Sequence, residues 1–173
     1  AERLGAVVIT SNAGKGVISD NHPLSLGSAI AQPQCQQVIE DADVLLAIGT
    51  ELSPTDSYID TLPIEGALVC IDIDERKIND HYPASVGIIG DAGPAVALLL
   101  QTLEDGAPVS GGEQIVEAVK QSIPHGLNES EQRHVKLLAV IRDTLPDNAI
   151  IMGDACQVSY SASFALPVNQ PRR

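Results

Sequence analysis

Aromatic side chains are almost absent from this chain of 173 residues, which has no Trp, one Phe and three Tyr. Its core must therefore be mainly aliphatic, because there are too few rings to fill the volume. Positive charge is scarce too. Ten Lys and Arg stand against 23 Asp and Glu, a formal net charge of −13. That balance argues against nucleic acid as a partner, since affinity there depends on cations neutralising phosphates. An anionic membrane surface is disfavoured for the same reason. Cys35, Cys70 and Cys156 are odd in number and form no CxxC pair. They read as buried free thiols of a reducing, cytoplasmic compartment rather than as disulfides. The longest apolar run, Ala95 to Leu100, falls far short of the ~20 residues a membrane span needs. Nothing reads as a signal peptide.

Several chemical motifs are also missing. No G-x-G-x-x-G occurs, so the usual phosphate loop of dinucleotide-binding sheets is absent. No G-x-S-x-G nucleophile elbow is present, and His and Cys never fall at metal-ligand spacing. Gly14-Lys15-Gly16 lacks the spacing and the trailing Ser or Thr of a P-loop. It reads as a tight turn with an exposed Lys, although amides flanking such a turn can meet a phosphate. His22 precedes Pro23 and is held extended, with no nucleophile or carboxylate matched to it. A structural loop histidine is the better reading.

What the chain does contain is short aliphatic runs, with hydrophobic residues at 44%. Strands are expected at Ala6–Thr10, Val44–Ile48, Leu68–Ile73 and Val86–Ile89. Helices are expected at Pro33–Asp41 and at Gly93–Leu103, where Val96, Leu99, Leu100 and Leu103 recur at spacings of three and four. This alternation predicts an α/β fold with a parallel sheet whose strands are buried on both faces. Asp105–Gly112, with three Gly and a Pro, reads as a linker. Beyond it come a helical segment to Ser122, a break at Pro124-His125-Gly126, and a helix over Ser130–Leu145 capped by Asn128 or Ser130. A last strand is expected at Ala149–Met152. The expected organisation is thus a domain over 1–104, a linker over 105–112, and over 113–173 a helix–strand piece of a second α/β domain.

Ligands of open parallel sheets sit beyond the carboxyl ends of the strands. Those ends are Thr10-Ser11-Asn12, Gly49-Thr50-Glu51, Asp72-Ile73-Asp74 and Gly90-Asp91-Ala92. An acid placed there can accept from a ribose diol, which suits Asp72 or Asp74. Equally, an Asp in such a position can simply cap the next helix, as Asp74 before Glu75 and Arg76 suggests.

Taken in order, AERLGAVVIT, GKGV, HPLSLG, ADVLLAIGTEL, IDID and a closing GD resemble the middle domain of thiamine-diphosphate-dependent enzymes. That family includes acetolactate synthases and 2-oxo acid decarboxylases. The resemblance is strong over Ala1–Glu104 and weaker over Leu137–Arg173, where AIIMGDACQ is similar to the opening of the diphosphate-binding domain. It implies a Rossmann-like (DHS-like) parallel sheet with helices on both faces. It also implies a parent enzyme, an acetolactate-synthase-like decarboxylase or carboligase that takes a small 2-oxo acid, uses thiamine diphosphate and Mg2+, and assembles as a homo-oligomer, dimer or tetramer. By the same match Ala155, Cys156 and Gln157 lie near thiamine diphosphate. Thr50, Asp72, Ile73 and Asp91 are the candidate adenine-nucleotide contacts, with ADP the ligand in question. FAD is not expected, because Glu51 stands where FAD-binding members tend to place an Arg, and an anion facing a diphosphate is unfavourable. The activating Glu of the N-terminal domain, the first strand of the middle domain and the GDG…N magnesium stretch are not in the sequence. The expectation is therefore a fragment inactive by itself, with a structural or vestigial nucleotide-binding domain. The alternative is a stand-alone nucleotide-binding or regulatory module.

Overall fold

In the computed structural model the described residues are 1–103 and 111–171. They form an α/β protein with one three-stranded parallel sheet and six α-helices. Two compact units divide the chain, Gln36–Ala107 and the combination of Ala1–Cys35 with Pro108–Arg173. Helix α1 (Pro33–Glu40) spans the change from one to the other.

The Gln36–Ala107 unit holds the sheet: β1 (Val44–Ile48), β2 (Ala67–Asp72) and β3 (Val86–Ile89), in the order β1-β2-β3. Short α2 (Pro54–Ser57) joins β1 to β2, and α3 (Ala92–Thr102) follows β3. The registers pair Ile48 with Ile71 and Ile71 with Ile88. Aliphatic runs make these strands because β-branched side chains suit a pleated, apolar surface.

One face of the sheet is packed. Ala47, Leu68, Cys70 and Ile78 form its buried cluster, joined by Leu45, Leu52, Ile64, Tyr82 and Ala84. Both connections contribute to that one cluster, since Leu52 and Ile64 precede β2, and Ile78, Tyr82 and Ala84 precede β3. Handedness accounts for this. Strands added successively in one direction with right-handed crossovers bring every connection to the same side. The opposite face is not covered in the way the apolar runs suggest. Ile71 there is fully buried, but Val44 is 60% exposed and Val86 52% exposed. Burial on both faces is thus confined to the central strand.

The other unit contains α4 (Gly112–Gly126), α5 (Glu129–Thr144) and α6 (Gln157–Ala165). Helix α4 buries Val116, Val119 and Ile123, a stripe at helical spacing, and runs on through Pro124 where a break was expected. Pro124 lies in the last turn, where only one ladder bond is lost. Two expected strands do not form. Ala6–Thr10 makes a single parallel bridge, Val8 to Ser25, with flanking bonds to Leu24 and Gly27. The left-handed Gly27 (φ 59°) ends that pairing after two residues. Ala149–Met152 is not a strand either; Ile150 is 67% and Met152 91% exposed. An extended segment becomes a strand only where a neighbour accepts its ladder bonds. Of the expected linker, residues 105–110 lie outside the described ones, Gly111 is the N-cap residue of α4 and Gly112 opens it.

Candidate functional site at the carboxyl ends of the strands

The sheet brings three of the expected strand ends side by side. The ladder continues one residue past the strands, with Gly49 N–H donating to the Ile71 carbonyl and Gly90 N–H to that of Asp72. Thr50, Asp72 with Ile73, and Asp91 therefore sit at the same edge on adjacent strands. Gly49 has φ 58°, which turns the chain sharply at the end of β1. Thr10, the fourth expected strand end, belongs to the other unit, where its hydroxyl bonds that of Ser28.

Each of these polar side chains already meets nearby backbone. Thr50 Oγ1 accepts from Leu52 N–H at 3.2 Å, and Asp72 Oδ1 accepts from Asp74 N–H at 2.8 Å. Asp91 caps α3 by accepting from Gly93 N–H at 2.8 Å. Asp74 caps the 3-10 turn Glu75–Lys77, as its neighbours suggested. Its carboxylate is held by Arg76 at 2.6 Å, and hydrogen bonds from that side chain push its pKa down to about 2. Ile73 is 74% exposed.

Lys77, which sequence reasoning did not single out, organises the edge. Its ammonium lies 3.0 Å from Asp80 and 3.2 Å from Glu51, and both hydrogen bonds raise its pKa, Asp80 more strongly. The only hint in the sequence was a charge run, Asp74-Glu75-Arg76-Lys77, which usually marks a solvated face. The edge can accept hydrogen bonds through several carboxylates, while Arg76 and Lys77 are both engaged in ion pairs.

The turn carrying Ala155, Cys156 and Gln157 lies in the other unit, so the two sets of candidates do not share one. Cys156 is the N-cap residue of α6 and Gln157 its first residue. Cys156 is exposed, against the expectation of three buried thiols, whereas Cys35 and Cys70 are buried. The other two motifs have structural partners. His22 Nε2 lies 3.2 Å from Glu2 and its Nδ1 accepts from Leu24 N–H. Lys15 is not exposed but paired with buried Asp20.

The model of the thiamine pyrophosphate enzyme central domain matches residues 1–99. The chain belongs to the thiamine pyrophosphate enzyme family. The probable 2-ketoarginine decarboxylase AruI of Pseudomonas aeruginosa is 34% identical over 176 residues, covering 99% of this chain and 31% of that protein. The probable acetolactate synthase large subunit of Methanococcus aeolicus is 30% identical over 99% of this chain and 32% of its own length. A sulfoacetaldehyde acetyltransferase of Roseovarius nubinhibens is 32% identical over 62% of the chain and 19% of its own length. The chain thus spans about a third or less of the curated relatives it matches.

Membership in the thiamine pyrophosphate enzymes implies thiamine diphosphate and Mg2+ in full-length relatives. The turn at α6 does not by itself fit that group. Ala155 N–H donates to Asp154 Oδ1 at 2.7 Å and Cys156 N–H to the Asp154 carbonyl at 2.8 Å, so both amides are taken. Asp154 also adds an anion where a diphosphate would approach. Among the described residues, no group of three His, Cys, Asp or Glu is placed to hold a metal ion.

Proposed function

We propose that this chain is a central portion of a thiamine-diphosphate-dependent enzyme acting on 2-oxo acids, an acetolactate-synthase-like decarboxylase or carboligase. Residues 1–104 serve as its central domain, and 113–173 open the domain that binds the diphosphate. The observation carrying this reading is the alignment of the probable 2-ketoarginine decarboxylase AruI along 99% of the chain at 34% identity. A 2-oxo acid is accordingly the substrate class, and a homo-oligomer the expected assembly. The exposed apolar residues on one face of the sheet support a larger Rossmann-like (DHS-like) sheet, with helices on both faces, in the parent.

In such enzymes the cofactor supplies the electron sink and the protein supplies binding and orientation. The central domain's part is structural. The caps and ion pairs at its strand ends engage the groups that a nucleotide would use. FAD is disfavoured by Glu51, and ADP is the one nucleotide worth testing.

Thermal unfolding of the 173-residue chain with ADP, FAD, or thiamine diphosphate plus Mg2+ tests this reading. A ligand at ~100 times its Kd would add ~2.7 kcal/mol. No shift is expected with FAD or with thiamine diphosphate, and no thiamine-dependent release of carbon dioxide from a 2-oxo acid. A shift with ADP alone would show that the strand ends retain a nucleotide site. Decarboxylation by the purified chain would refute the proposal that its activity needs the rest of the parent.

A further inference from the structure

The loop from Gly14 to Gly27 grips a segment nearly 150 positions away, through contacts separated by 148 residues. Asp20, 8% exposed, is the centre of the contact. Its Oδ2 accepts from the Lys15 ammonium at 2.7 Å and from the Val168 amide at 2.9 Å. Its own amide donates to the Val168 carbonyl at 3.1 Å. Its carbonyl accepts from Lys120 Nζ, on α4, at 2.9 Å. Lys15 makes a second bond, to the Ser163 carbonyl of α6, at 2.8 Å. Ser19 Oγ donates to Asn169 Oδ1 at 2.7 Å. Gly16 (φ 85°) approaches the Gln170 carbonyl so closely that a Cβ has no room.

A buried carboxylate is costly unless paired and hydrogen-bonded. Asp20 Oδ1 is buried without a partner among the described residues, so the bonds that Oδ2 takes from Lys15 and Val168 are what hold this carboxylate in place. Three of these six bonds reach backbone groups of Ser163 and Val168, which helps fix the register of the segment whatever its side chains. The loop lies within the region matched by the central-domain model and the segment lies beyond it. Ser163 is six residues from Gln157 in one helix, about 9 Å at 1.5 Å per residue.

We propose that Lys15 and Asp20 are positioning residues, holding α6 and the segment after it and so setting where the Asp154–Gln157 turn stands. This rests on the structural role proposed above for the central domain and supplies its physical means. The Gly-Lys-Gly turn is a clasp for the chain's own later segment.

Hydrogen–deuterium exchange on the ligand-free 173-residue chain tests it, independently of any nucleotide titration. In Lys15→Met, exchange at Val168 and along α6 is expected to speed up by roughly tenfold or more, while β1–β3 hold within about twofold. Lys15→Arg should restore most of the protection, because the charge remains. Unchanged exchange at Val168 and α6 would overturn the proposal. So would a uniform acceleration that includes the strands, since Lys15 would then stabilise the chain only generally. Should Lys15→Met fail to fold, Asp20→Asn keeps an oxygen for the Val168 amide and removes the charge facing Lys15. Faster exchange confined to the same amides then supports the clasp, and its absence overturns it.

Discussion

At the scale of single residues, neighbours set chemistry that composition cannot. Cys35 is buried and desolvation pushes its pKa up to about 12; Cys70 is raised too, by burial first and then by Asp72. Cys156 goes the other way, because hydrogen bonds from Ser159, its hydroxyl 3.4 Å from the sulfur, favour the thiolate. A lowered pKa leaves more thiolate at neutral pH, so an aromatic disulfide reagent should label one thiol rapidly at pH 7 and three after denaturation. Cys156→Ser should abolish the fast phase; two fast thiols in the native chain would contradict the burial of Cys35 and Cys70. Lys15 illustrates the limit of reading residues in sequence. Gly-Lys-Gly was visible as a turn, but Ser163 and Val168 were too distant in the chain to be foreseen as its partners. Asp74 was legible, since its capping partner is two positions away.

At the scale of elements, local signals were reliable and pairing signals were not. The expected strands Val44–Ile48 and Val86–Ile89 form with those bounds, and Leu68–Ile73 shifts to Ala67–Asp72. Asn128 caps α5 as its position suggested, accepting from Ser130 and Glu131 amides, while Glu131 accepts the Asn128 amide in return. Asn128→Ala should cost about 1 kcal/mol, read as a lower urea midpoint with an unchanged slope. A midpoint equal to that of the parent chain would mean the first turn of α5 adds nothing to global stability. Ala6–Thr10 and Ala149–Met152 failed as strands because apolar, β-branched content describes a strand's side chains and not its hydrogen-bonding neighbour. Short α2 and the nine-residue α6 went unforeseen, the second because QVSYSASFA has little amphipathic periodicity.

At the scale of the whole molecule, the acidic excess acts on stability. The net charge of −13 makes the folded chain repel itself, and salt screens that repulsion as the Debye length falls from about 30 Å at 0.01 M to about 8 Å at 0.15 M. The unfolding midpoint should therefore rise by a few degrees across that range, roughly the effect of ~1 kcal/mol. A fall would mean that ion pairs such as Arg76–Asp74 and Lys77–Asp80 outweigh the repulsion, although solvent screens pairs as exposed as these. Sequence alone determined the class, the family, the parallel strands of one unit, the Asp74 cap of the 3-10 turn and the cap of α5, because period, propensity and capping act over a few residues. Tertiary structure alone decided which face of the sheet is covered, which thiol is exposed, and which segment Lys15 and Asp20 hold. Those outcomes depend on crossover handedness and on contacts between residues remote in the chain, neither of which has a local signature in the sequence.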